Sequence, residues 1–82
     1  MTLGTVIYAS RNMGMLVIQH EDGFTLLEML GSEGEIEIGD QVGHSDWTAL
    51  GGERVRCRGE LYDVYFQGCW SDPNQAVRLA GP

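Results

Sequence analysis

Apolar residues come in short runs cut by turn-forming residues, and no helical period persists over a helix-length window. Twelve glycines punctuate the chain, which favours a tightly turned β fold. Leu3–Ala9 predicts a first strand, since Val6, Ile7 and Tyr8 suit a pleated surface and Gly4 suits a bend. Gly14–His20 predicts a second strand, apolar on both faces. The Glu21-Asp22-Gly23 turn then leads into a third, Phe24–Leu30. Residues 24–30 would also suit two turns of helix; the hairpin signal in front of them favours a strand. Glu35-Ile36-Glu37-Ile38 alternates strictly, which places both isoleucines inward, and Gly39-Asp40 turns the chain into a fourth strand, 41–45.

The pattern weakens after Asp46. Residues 46–52 read as a loop anchored by Trp47 and Leu50. Residues 53–58 alternate again, with Val55 and Cys57 on one face and the arginines on the other. Leu61–Gln67 reads as a further strand. Asp72-Pro73-Asn74 is a turn sequence, Ala76–Leu79 a short last strand, and the residues beyond it a fraying end. The core expected from these faces is Val6, Leu16, Ile18, Leu26, Ile36, Ile38, Val42, Val55, Val64, Phe66 and Val77.

This order resembles the cold-shock domains. The likeness rests on Gly4-Thr5-Val6-Ile7-Tyr8, then Ser10-Arg11-Asn12-Met13 before Gly14–Ile18, then Asp22-Gly23, Gly39-Asp40-Gln41-Val42 and Ala76-Val77. It is closer over residues 4–45 than over 46–82. The chain also resembles a group of short bacterial-type proteins sharing the G-x-V-I-Y start, an R-x-x-G-M and a D-V-Y-F-Q, a likeness that carries no function. The resemblance implies one all-β domain over residues 1–82: a five-stranded, OB-type (cold-shock-like) barrel with an inserted hairpin or long loop between residues 46 and 68. An SH3-like barrel is the competing architecture.

Charge and composition then narrow the function. Twelve acids stand against five arginines, there is no lysine, and the net charge is −7. Such a chain is handicapped on a phosphate backbone, which binds by counterion release. Residues 21–46 carry eight acids and no base, whereas Arg54, Arg56 and Arg58 cluster downstream. The resemblance offers Tyr8, Arg11, Phe24, Arg54, Arg56 and Arg58 as a single-stranded nucleic-acid face, with bases stacking on the aromatics. Against it, Met13, Met15 and Leu16 stand where the family places aromatics, and Glu28 stands where a cationic or aromatic residue would help. Protein interaction suits the acidic surface better. Met13 and Met15 are adaptable apolar contacts, and Trp47 and Trp70 are candidate interface anchors.

His20, His44, Cys57 and Cys69 are suitable metal ligands in type, but they are dispersed without ligand spacing, so no metal site or cofactor is expected. No local motif assembles a nucleophile with its base, so catalysis is not expected. The first twenty residues hold no basic cluster before an apolar stretch, and no run has the length of a membrane span. The expectation is therefore a reduced, cytoplasmic binding module, a monomer or weak dimer, whose first function is protein interaction and whose alternative is nucleic-acid binding.

Overall fold

A computed structural model describes residues Met1–Pro82. Six strands, β1 (Thr2–Ser10), β2 (Met15–His20), β3 (Gly23–Met29), β4 (Gln41–His44), β5 (Gly51–Cys57) and β6 (Glu60–Trp70), precede one helix, α1 (Pro73–Ala80). The strands close into an antiparallel barrel in the order β1-β2-β3-β6-β5-β4, with β4 returning to β1. The small all-β barrel is as expected; the strand count is six rather than five. Residues 46–68 do hold a hairpin, β5–β6, but it is part of the barrel wall and not an insertion, since β6 is the strand that pairs with β3. The seam between β4 and β5 is the weakest, with one bridging pair, Gly43↔Arg56.

The interior holds Val6, Leu16, Ile18, Leu27, Val42, Val55, Val64 and Phe66, closed by Met29 and Ile36 at one end and Trp47 at the other. Strand β6 shows the physical pattern most plainly: Tyr62, Val64 and Phe66 are buried, while Leu61, Asp63 and Tyr65 face water. Two bulges then re-aim the alternation. In β1 the register jumps between Val6, opposite Ile18, and Tyr8, opposite Val17. Ala9 returns to the interior opposite Leu16 while Tyr8 faces outward. In β6 the register shifts opposite Leu26/Leu27, so Gly68 and Trp70 join the outer face and Cys69 lies opposite Thr25. A bulge adds one residue to one strand, which exchanges the two faces beyond it. Gly68 is required there: a Cβ would stand 2.7 Å from the Trp70 ring.

Three expected elements differ. Residues 76–79 form helix rather than strand. Asp72 caps α1 by accepting from the Asn74 amide at 2.9 Å, Pro73 occupies the first turn and Gly81 follows the last. This is the local chemistry of a helix start and stop, and it outweighs the β propensity of Val77. Ala76 and Ala80, four apart on one face, are fully buried against Val17 and Leu26, and their small side chains let the helix lie close to the sheet. The chain end is tied down rather than frayed: Tyr8 Oη donates to the Gly81 carbonyl at 2.6 Å, and Ser10 Oγ donates to the Pro82 carbonyl. Residues 35–38 do not form a strand. Ile36 is buried, but Ile38 is 63% exposed, and Val77 belongs to the helix–sheet contact rather than to the barrel interior.

Candidate functional site

The two ends of the barrel differ in chemistry. At one end Trp47 plugs the interior. Its ring stacks on Phe66 (centroids 5.8 Å) and on His20 (5.6 Å), and its Nε1 donates to the Thr2 carbonyl at 3.0 Å. Trp47 is therefore no interface anchor: it is 3% exposed, packed among the rings of His20, His44 and Phe66. Trp70 is half-buried across Gly68 and under α1.

Around Trp47 runs a polar chain whose proton positions follow from its geometry. Thr25 Oγ1 donates its single proton to the Trp47 carbonyl at 2.6 Å. It must therefore accept at 2.7 Å from His20 Nε2–H, while His20 Nδ1 accepts from the Asp22 amide at 3.2 Å. The ring is held neutral with its proton on Nε2. Burial pushes His20 below the usual histidine range, and the nearby acids Asp22 and Glu21 only partly offset it. Cys69 Sγ lies 3.6 Å from the same Nε2. Because that nitrogen already carries a proton, it cannot take one from the thiol, so the pair lacks the geometry of a nucleophile and its base. His44 occupies the far side of Trp47, with Nε2 2.8 Å from Glu53 Oε1. Cys57 lies in the interior, where burial pushes its thiol up. No three ligand-type side chains converge.

The other end carries a groove of about 580 Å³. Leu16, Met29 and Ile36, which belong to the barrel interior, form its floor, and Met15, whose side chain packs toward the α1 face, lines its edge. One wall is the end of β1 and the following turn, Ala9 to Arg11 with Gly14; the other is the 31–40 loop, with Glu33, Glu37 and Ile38. Gly14 has φ +67°, and a Cβ there would meet Glu33 Cγ at 3.0 Å, so glycine lets the two walls approach. The loop wall is clamped from outside. Arg58 reaches the Asp40 carboxylate and the Glu35 carbonyl, and Asp40 Oδ2 also accepts from the Glu37 amide at 2.8 Å. The Glu37 amide and the Arg58 guanidinium together hold Asp40 below the usual carboxylate range. Arg58 itself has φ +50° in the β5–β6 turn, so a left-handed residue aims the clamp. Glu33 and Glu37 make no ion pair.

The residues singled out from sequence are distributed as follows. Tyr8 and Phe24 share the outer face of β1–β3, where both pack, partly buried, with the α1 cluster, and the Tyr8 hydroxyl is engaged by the Gly81 carbonyl. Arg54 pairs with Asp63 at 3.1 Å, Arg56 donates to the Gly59 carbonyl, and Arg58 belongs to the clamp. Arg11 is apart from all three, on the groove wall. The proposed arginine–aromatic face is thus not assembled: the aromatics pack against the α1 cluster, carboxylates engage two of the four arginines, and Arg11 stands apart from the other three. Met15 lines the groove, and Met13, in the same turn, is 52% exposed. Sequence reading missed the floor residues Met29 and Ile36 as site residues, because their role comes from standing at the open end of the barrel. It also missed the clamp, which joins positions 18 apart.

No family model, curated protein or solved structure matches this chain. No helix is long and apolar enough to cross a membrane.

Proposed function

We infer that this domain is a non-enzymatic protein-binding module that takes a segment of a partner chain in the groove at the Met-rich end of its barrel. The observation that carries the reading is the groove itself. Its volume lies within the range of ligand sites, its floor is apolar, and Met13 and Ile38 are exposed beside it. Methionine side chains adapt to different partners because they are unbranched and polarisable. The rim is formed by turn and loop residues set on a closed barrel, a rigid scaffold for a binding loop. Single-stranded nucleic acid is less well supported, because α1 packs against the aromatic part of the face it would use and a −7 chain repels phosphates.

The reading is tested by selecting displayed random dodecapeptides on the immobilised domain and titrating the enriched peptides into ¹⁵N-labelled protein. Amide shifts should centre on Arg11, Gly14, Gly34 and Ile38. They should be absent in Ile38→Asp, an exposed-site variant whose barrel stays intact. Enriched peptides that map to the β5–β6 face, or a mixed oligonucleotide that shifts the groove as strongly as any peptide, would overturn it.

A further inference from the structure

The geometry points to a partner segment of definite chemistry: one apolar side chain seated on Leu16, Met29 and Ile36, flanked along the chain by arginine or lysine. This rests on the groove being the binding site and goes beyond it by naming what the groove accepts. The apolar requirement comes from the floor, which offers no polar side chain to an occupant. An arginine or glutamate seated there would lose its hydration without gaining a partner. The cationic requirement comes from the rim. Glu33 and Glu37 line the groove, are exposed and lack ion-pair partners, while the neighbouring Asp40 is already engaged by Arg58. The only cation lining the groove is Arg11, on the opposite wall. Two carboxylates without ion-pair partners (Glu33 accepts only the Gly31 amide, at 3.4 Å) against one guanidinium, on a chain of net charge −7, favour a positively charged approach. Because the carboxylates belong to the loop wall, the flanking cations should lie on that side of the anchor, and Arg11 should repel them.

The test uses the whole domain and two capped nonapeptides with the same serine-rich host and central leucine, one flanked by arginines and one by glutamates. At an ionic strength of about 0.05 M the arginine peptide should bind at least about tenfold more tightly, with shifts at Gly14, Gly34 and Ile38. The preference should shrink toward unity by about 0.5 M. Glu33→Gln with Glu37→Gln should weaken the arginine peptide about fivefold, the scale of two exposed charge contacts. Arg11→Gln should tighten it about twofold, and replacing the central leucine by alanine should abolish the groove shifts. Equal affinity for both peptides at the groove would overturn the partner chemistry and leave the groove reading standing. If neither peptide moves the groove amides at millimolar concentration, or both move residues elsewhere, the groove reading fails and this inference fails with it.

Discussion

Replacing Thr25 by valine tests the polar chain around Trp47. The substitution keeps the shape and removes one oxygen. Thr25 is fully buried, and its hydroxyl is the only hydrogen-bond partner of the Trp47 carbonyl. In the variant that carbonyl is orphaned. His20 Nε2–H keeps only Cys69 Sγ at 3.6 Å, a poor acceptor. A buried polar group left unpaired costs about 1–3 kcal/mol. One full penalty and one partial penalty sum to about 3 kcal/mol. For a domain of this size that is a fall in Tm of roughly 12–24 °C. The control is Thr25→Ser, which retains both hydrogen bonds and loses a methyl group, at about 1 kcal/mol. Guanidinium unfolding followed by far-UV circular dichroism at pH 7.5 measures both, at a pH where His20 is neutral in the folded and unfolded chain. A Thr25→Val variant no less stable than Thr25→Ser would refute the assignment of proton positions along this chain, and with it the neutral His20.

Three other outcomes follow from the same geometry. Burial depresses the His20 pKa, so below the unfolded value of about 6.5 the unfolded chain binds a proton that the folded chain refuses; stability should fall as pH drops from there toward the lowered folded value, by at most about 1.4 kcal/mol per pH unit, and His20→Gln should flatten that slope in urea titrations. Asp40 and Asp46 are also depressed, but their contribution is present above the ordinary carboxylate value and is lost only as pH falls below about 4, so the two windows separate; a wild-type curve flat between pH 6.5 and 5 would count against the histidine account. Ala76→Asp should destabilise by about 3 kcal/mol or more, because a carboxylate would be forced between α1 and the sheet, with indole fluorescence of Trp70 shifting to the red; a variant of unchanged stability would mean the helix is not docked as described. Arg58→Gln should leave global stability close to that of the wild type, since the Asp40 pair is exposed to solvent, yet it should speed hydrogen exchange at the Gly39 and Asp40 amides that tie the loop wall to β1 and to Glu37; unchanged exchange there would show that the clamp does not hold the groove.

Much of the barrel follows from local signals. Val6, Ile7 and Tyr8, the apolar run 15–18 and the Asp22-Gly23 turn place β1, β2 and β3 from propensity and turn chemistry alone, and the alternation of residues 53–58 places β5. Those signals need only neighbouring residues. The Glu35–Ile38 stretch carries the same alternation and is not a strand, because no partner edge is available to it; a strand is defined by the chain beside it. The α1 signal was present in Asp72-Pro73 and Gly81 but is brief beside an equally good turn reading.

Sequence alone determined an acidic, mostly β fold with a Met-bearing turn between its first two strands. Tertiary structure decided which surfaces are free. Bulges at Ile7 and Gln67 turned Tyr8 and Trp70 outward, where they pack with Phe24 against the α1 cluster. Trp47 was drawn inward to fill the barrel mouth, and Arg58 was spent on holding the loop that walls the groove. Each of these depends on contacts between residues far apart in the chain, and neither period nor composition encodes which distant surface a side chain will meet.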